Sequence, residues 1–169
     1  FAFIGNFRDW IDNELLSQLI AKRKDILFVF VGSVEQNMKE YFKSLLDGNM
    51  NVMWFGKVKK ENMTELYRMF DGVIIPYYNN PFIRATRPIK IVEAILAGTP
   101  VVTIPIDGYQ ESSFIRFADT VSAFSRQIDY LLTHPIEKES KEYLDFVSYN
   151  TWDKKAEMII NAFKNLEDN

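Results

Sequence analysis

The sequence contains no cysteine and a single histidine, and these shortages exclude several kinds of site. Without cysteine, neither a disulfide framework nor a cysteine-ligated metal can form within the chain. One histidine, His134, argues against a histidine zinc site or a Ser-His-Asp triad, and we expect it to be an ordinary surface residue. No apolar run approaches the roughly 20 residues that span a membrane, and no signal peptide is visible.

Charges of the two signs nearly balance, with 20 Lys and Arg residues against 23 Asp and Glu residues. The 169 residues are 47% hydrophobic and 25% charged, with a formal net charge of −3, which suits a globular core and gives no sign of nucleic acid as a partner. We therefore predict one domain over residues 1–169, including a C-terminal helix over 150–169, no nucleic-acid partner and a cytoplasmic location. The sequence opens at Phe1 inside an apolar run, so we expect further sequence before it.

Apolar runs alternate with amphipathic stretches along the chain. Continuous apolar runs such as Ile26–Gly32 are typical of parallel strands buried on both faces. Apolar residues at helical spacing, as over Asp12–Arg23, predict helices. The predicted strands are Phe1–Gly5, Ile26–Gly32, Asn51–Gly56, Gly72–Pro76, Pro100–Pro105 and Phe114–Phe117, and the predicted helices are Asp12–Arg23, Glu35–Leu46, Lys60–Phe70, Pro88–Ala97, Val121–Thr133, Ile136–Val147 and Trp152–Leu166.

This order of elements predicts an α/β fold, a Rossmann-like doubly wound parallel sheet of about six strands in the order 3-2-1-4-5-6 with helices on both faces. Ligands bind such sheets beyond the carboxyl ends of the strands, where the strand order switches. Tyr77 and Tyr78 end the fourth strand and are candidates to face a ligand. The loop over residues 107–111 lies at the same edge, and we expect a plain turn there.

The most informative segment runs from Arg84 to Val102 and reads as a polar loop, a helix and a buried strand. A helix N-terminus attracts phosphate, and Lys90, with Arg84 and Arg87 before it, adds cationic groups that match phosphate oxygens. Glu93, one turn further, is placed to accept hydrogen bonds from ribose hydroxyls. Spacing alone favours a simpler alternative, in which Lys90 and Glu93 form a surface pair and the arginines are solvated.

The same segment resembles the donor-binding signature of GT-B-fold retaining glycosyltransferases (group 1, family 4), and the resemblance extends over most of the chain. Its most specific part is Pro88-x-Lys90-x-x-Glu93 followed by Ala97–Val102. Other stretches resemble the loop and strands of a subgroup that acts in cell-surface polysaccharide synthesis; they are Gly5, Trp10 and Asp12, then residues 51–58 and 70–76.

The resemblance implies the donor-binding half of a two-domain glycosyltransferase whose acceptor domain is absent. The residues that it assigns to the donor are Glu93 for the ribose, Lys90 with Arg87 and Arg84 for the diphosphate, and the backbone of Gly56, Lys57 and Val58 for the base. Gly5, Asn6, Arg8 and Tyr77, at or just after predicted strand ends, are the further candidates for the donor site.

The implied reaction moves a sugar from a UDP-, GDP- or TDP-sugar to a glycan or lipid-linked acceptor, with retained configuration and without a metal or other cofactor. The resemblance implies that the present chain binds nucleotide but does not catalyse the transfer by itself. The resemblance also leaves open a peripheral association of the full-length protein with the inner face of the membrane.

Two positions depart from the family pattern. Ala85 stands where a first glutamate would contact the transferred sugar, and Asn6 stands where many members carry an arginine, with Arg8 as a displaced substitute. We interpret Ala85 as a trait of the subgroup that carries Pro-x-Lys-x-x-Glu. Three alternatives stay open, namely a nucleotide-sugar epimerase of GT-B architecture, a non-catalytic scaffold domain and a receiver-like binding domain, although the strand ends lack the aspartates that a receiver needs.

Packing can also be predicted. We expect the aromatic residues Phe28, Phe30, Trp54 and Phe55 in the core, and likewise Ile91, Ile95 and Leu96 on the helix that follows Pro88. Asn150 or Thr151 is expected to cap the last helix.

Overall fold

The computed structural model describes residues 1–167, with side chains described as far as Lys164. In this part of the chain one parallel sheet has the order β3-β2-β1-β4-β5-β6, so the predicted fold class and strand order are confirmed. The strands are β1 (Ala2–Ile4), β2 (Phe28–Val31), β3 (Val52–Gly56), β4 (Val73–Ile75), β5 (Val101–Thr103) and β6 (Ile115–Phe117).

Helices connect the strands and cover both faces of the sheet, and two further helices come after them in the chain. The helices are α1 (Asn13–Lys22), α2 (Lys39–Asp47), α3 (Met63–Arg68), α4 (Pro81–Arg84), α5 (Ile89–Ala97), α6 (Val121–Thr133), α7 (Lys141–Tyr149) and α8 (Trp152–Glu167), with 3₁₀ turns at Gln36–Met38 and Lys60–Asn62. Residues 1–135, with the sheet and α1–α6, form one compact unit, and α7 and α8 belong to a second. No helix in the described part of the chain is both long and apolar enough to cross a membrane.

The core is built from the central strands, and the edge strand is the exception. All residues of β1, β2, β4 and β5 are buried, including Phe28 and Phe30 as predicted. The prediction that Trp54 and Phe55 are core residues is wrong, because they are 49% and 61% exposed. Both lie on β3, which pairs with β2 alone and leaves its other edge uncovered within the described residues.

Several helix ends differ from the predicted ones for local reasons. Helix α7 begins at Lys141 rather than Ile136, because the Ser140 hydroxyl accepts a hydrogen bond from the Tyr143 N–H and starts the helix there. The Thr151 hydroxyl caps α8 by accepting a hydrogen bond from the Lys154 N–H (3.2 Å). Thr151 is one of the two residues predicted to cap this helix.

Helix α4 is absent from the sequence-based prediction. The Asn80 side chain accepts a hydrogen bond from the Ile83 N–H, and Pro81 occupies the first helical position. An Asn-Pro pair is a recognised start signal for a helix, so the sequence did contain the information. The four-residue length of α4 gives almost no hydrophobic period to detect.

Helix α5, which carries the candidate site, is bounded by a proline and a glycine. Pro88 lies at the N-cap position, so the helix begins at Ile89, one residue after the predicted start at Pro88, and Gly98 closes it with φ of +94°. Ile91 and Ile95 are buried as predicted, whereas Leu96 is 43% exposed and that part of the prediction is wrong.

The backbones of β1 and β2 approach each other so closely after the strands that a side chain at Gly32 has no room. A Cβ there would lie 2.0 Å from the Gly5 carbonyl oxygen, and φ is +132°. Gly56 also has a positive φ, +70°, but a Cβ on it would meet no atom within 4 Å.

We therefore expect Gly32→Ala to lower the free energy of unfolding by about 3 kcal/mol or more, because it adds a backbone clash to conformational strain. Gly56→Ala is the matched control and should cost about 1 kcal/mol, from strain alone. Urea unfolding followed by circular dichroism measures both values. Equal losses in the two variants would contradict this account of the strand ends.

Candidate functional site

The candidate site lies where the sheet order reverses, between β1 and β4. Helix α5 begins at Ile89, and the side chain of Lys90 crosses from this helix to the carboxyl ends of both strands. Its Nζ donates a hydrogen bond to the Tyr77 hydroxyl (2.8 Å). The same Nζ lies only 2.6 Å from the position that a Cβ atom on Gly5 would take. The structure thus brings Gly5, Tyr77 and Lys90 together at the predicted switch point.

The Lys90 ammonium occupies an aromatic surrounding. It lies 4.5 Å from the ring centroid of Phe3 and 5.3 Å from that of Tyr77. Burial lowers the pKa of Lys90 to about 8, and the negative charge of Glu93 opposes this shift only in part. Of its three N–H donors, the structure uses one, on Tyr77. Tyr77, predicted to face a ligand, is itself 5% exposed and contacts Lys90 instead of solvent.

Glu93, one turn along α5, is held by a different tyrosine. Its Oε2 accepts a hydrogen bond from the hydroxyl of Tyr67 (3.2 Å), a residue of α3 that is 1% exposed. Burial and the neighbouring carboxylate raise the pKa of Tyr67, so its hydroxyl stays protonated and remains a donor. In the described structure Lys90 and Glu93 form no ion pair with each other. The simpler interpretation, in which these two residues form a surface pair, therefore does not describe them.

The two predicted arginines reach the loop that follows β5. Arg84 lies 3.4 Å from the Asp107 carboxylate, and Arg87 donates to the Gly108 carbonyl (3.2 Å) and lies 5.5 Å from the Tyr109 ring centroid. Both side chains are exposed. The loop is therefore more than a plain turn, because it anchors the guanidinium groups beside the start of α5.

Asn6 and Arg8, the predicted site residues after β1, bind an acidic residue that the sequence analysis did not identify. Glu35 accepts a hydrogen bond from the Asn6 amide (2.9 Å) and pairs with Arg8 (3.4 Å). Arg8 also lies 4.2 Å from the Trp10 ring centroid. The charge of Arg8 is thus offset by Glu35, and its guanidinium group lies against the ring of Trp10. The sequence does show a glutamate after the second strand, but it lies 29 positions from Asn6, so no local pattern links the two residues.

Gly56 ends the edge strand β3, and Lys57 and Val58 follow it, away from Lys90 in the strand order. Gly56 and Lys57 border an apolar cavity of about 650 Å³ between β3 and α2, with Phe42 and Trp54 on its walls. The Trp54 indole N–H donates to the Gly32 carbonyl (3.0 Å). In the described part of the chain no cluster of three or more His, Cys, Asp or Glu side chains could hold a metal ion.

Comparison with known proteins gives a consistent family. A family model described as "Glycosyl transferases group 1" matches residues 1–134. A Bacillus subtilis protein named as a candidate teichuronic acid biosynthesis glycosyltransferase, TuaH, is 30% identical over 101 residues, which is 60% of this chain and 25% of that protein.

Two solved structures share the fold. AviGT4, a glycosyltransferase involved in avilamycin A biosynthesis, has a TM-score of 0.68 at 17% identity, over 98% of this chain and 50% of its own. Anabaena HepE in complex with UDP and glucose has a TM-score of 0.57 at 20% identity, over 89% of this chain and 42% of its own.

The chain thus spans between a quarter and a half of each of these proteins. The structural neighbours are remote in sequence and bear on the fold alone, whereas the family model covers the sheet and the α5 segment with Lys90 and Glu93. The resemblance drawn from the Pro88–Glu93 pattern is confirmed at this level. The chain belongs to the glycosyl transferases group 1 family.

Proposed function

We propose that this chain binds the nucleoside diphosphate of an activated sugar and forms the donor-binding half of a glycosyltransferase. The observation that carries the proposal is the arrangement of Lys90 and Glu93 at the start of α5, beside the sheet's switch point. Each side chain is held by its own tyrosine, so neither is neutralised by the other.

The diphosphate is proposed to lie over the N-terminus of α5. The first N–H groups of a helix lack partners within it, and its dipole favours an anion there. Lys90 has two free N–H donors in an apolar surrounding, where its charge attracts phosphate more strongly than in water. Arg87 makes no ion pair among the described residues and is available nearby. Together these groups offset the charge of the leaving diphosphate without a metal.

The ribose is assigned to Glu93. One carboxylate oxygen, Oε2, accepts from Tyr67, while Oε1 has no hydrogen-bond partner in the described structure. A vicinal diol supplies the donor that Oε1 lacks, as in other doubly wound nucleotide-binding folds. The backbone at Gly56, Lys57 and Val58 is the proposed site for the base.

The relatives support the substrate class. HepE was crystallised with UDP and glucose, and the name of TuaH points to teichuronic acid biosynthesis. We propose for the present protein a nucleotide-sugar donor, a glycan or lipid-linked acceptor bound by the rest of the protein, and a role in surface polysaccharide synthesis. The proposal includes a cytoplasmic location, with peripheral attachment of the full-length protein to the inner face of the membrane.

A second candidate is a donor domain that binds nucleotide without supporting transfer. Ala85 favours it, because this exposed residue at the end of α4 offers a methyl group where the family pattern has a carboxylate for the sugar. Assay of the full-length protein with the nucleotide-sugar that binds decides between the two. Sugar transfer or donor hydrolysis supports a transferase, and tight binding without either supports the second candidate.

Glu93→Ala should weaken nucleotide binding about tenfold, because the ribose loses a charged acceptor worth roughly 1.5 kcal/mol. Titration calorimetry of the chain against UDP, GDP, TDP and CMP measures the effect. Glu65→Ala is the control, since Glu65 is an exposed carboxylate on α3 and its loss should leave affinity unchanged. Failure of every nucleotide to bind the native chain, or equal affinity of the Glu93 variant, contradicts the assignment.

Affinity for the nucleoside diphosphate should fall as the pH rises through about 8, because Lys90 loses its proton there. A bound diphosphate favours the charged form, so the proton is held more tightly in the complex and is released on dissociation. Calorimetry between pH 6.5 and 9.5 measures the fall, which we expect to approach tenfold.

Lys90→Met is the control for this pH dependence and should bind weakly at every pH. Burial disfavours the ammonium in the folded state, so removing it should maintain or raise the free energy of unfolding at pH 7. Weak binding by this variant therefore cannot be attributed to unfolding. An unchanged pH dependence in Lys90→Met would assign the titration to another group.

A further inference from the structure

We propose that Tyr67 is a positioning residue for Glu93, and that it is fixed in place by Thr99 of the turn that follows α5. The proposal rests on the assignment of Glu93 to the donor. It gives a role in ligand binding to a residue of α3, a helix that carries none of the predicted site residues.

Hydrogen bonds tie α3 to α5 and to the turn that follows it. The Tyr67 hydroxyl reaches Glu93 (3.2 Å) in the middle of α5, while the Thr99 hydroxyl donates to the Tyr67 carbonyl (2.8 Å) beyond its end. Arg68, the next residue, donates to the Ala97 carbonyl (3.3 Å). Tyr67 and Thr99 are each 1% exposed, so the bond between them is shielded from water, whereas the bonds to Glu93 and from Arg68 are partly buried.

The hydroxyl of Tyr67 decides between two positions of the Glu93 carboxylate. Lys90 and Glu93 are three residues apart on one helix, a spacing at which opposite charges ordinarily pair. Tyr67 provides a competing donor to Oε2, and Lys90 is turned toward Tyr77. The carboxylate and the ammonium therefore both remain available to a ligand.

The ionisable groups around this pair are few. Tyr67 comes from α3, Tyr77 from the end of β4, and Arg8, after β1, acts electrostatically on Tyr77. Burial raises the pKa of Tyr77 to about 12 and raises that of Tyr67 as well, so neither titrates near neutral pH. Among the protein groups at this site, a titration between pH 7 and 10 thus reports on Lys90 and on how closely Glu93 approaches it.

Tyr67→Phe removes the hydroxyl and keeps the ring. We expect about tenfold weaker binding of the nucleotide that the native chain prefers, and a movement of the pH midpoint for affinity loss upward from about 8, because Glu93 becomes free to pair with Lys90. A residue that merely fills the core would change stability and leave this midpoint in place. Calorimetry across the pH range gives both quantities.

Tyr41→Phe is the matched control. Tyr41 is another partly buried tyrosine whose hydroxyl bonds to Ser17 (2.8 Å) and to the Asn13 carbonyl (2.8 Å), away from α5. It should affect unfolding but neither affinity nor midpoint. In a Glu93→Gln background, Tyr67→Phe should weaken binding less than twofold further, since the coupling then has no carboxylate to act on.

Thr99→Val provides a second route if Tyr67→Phe does not fold. It keeps the side-chain volume and loses the bond to the Tyr67 carbonyl, and it should weaken binding about threefold with a smaller upward movement of the midpoint. Unchanged affinity and midpoint in a folded Tyr67→Phe or Thr99→Val overturn the positioning role. Failure of the native chain and Tyr41→Phe to bind any nucleotide overturns instead the proposed function.

Discussion

An ammonium group removed from water must be compensated, and the site around α5 is organised by that requirement. Lys90 enters the gap that Gly5 leaves and obtains the phenolic oxygen of Tyr77 and the ring of Phe3, which compensate it in part. Burial still lowers the pKa of Lys90, so the compensation is incomplete. An anion at the start of α5 would complete it, because a diphosphate favours the charged form of this lysine.

The sheet was predictable because its central strands are buried on both faces, and continuous apolar runs such as Phe28–Val31 have few other structural explanations. The edge strand misled the prediction, since Trp54 and Phe55 belong to a run of the same kind as the buried strands, although the predicted strand order already placed this strand at the edge of the sheet. Lys90 and Glu93 were identified from a local pattern. The hydroxyl of Tyr67 was not, because its ring follows the apolar period of α3 and its partner lies 26 positions away.

The two halves of the Pro88–Val102 signature have a common structural reason. The first half places Lys90 and Glu93, and the second half, after Gly98, places Thr99 against the carbonyl of Tyr67. Helix α3 thus joins the turn to the carboxylate through hydrogen bonds at both ends of one tyrosine. In the sequence this stretch reads as a ligand motif followed by a strand. In the structure, hydrogen bonds through Tyr67 join the two parts.

The open edge of β3 has a consequence for the isolated chain at high concentration. A strand with unpaired N–H and C=O groups and with exposed Met53, Trp54 and Phe55 is a template for adding a strand from another molecule. Lys57, Lys59 and Lys60 follow directly and place like charges on any two copies that align there. Colloidal stability of the chain therefore depends in part on this short basic segment next to the exposed edge strand, and salt that screens those lysines favours self-association.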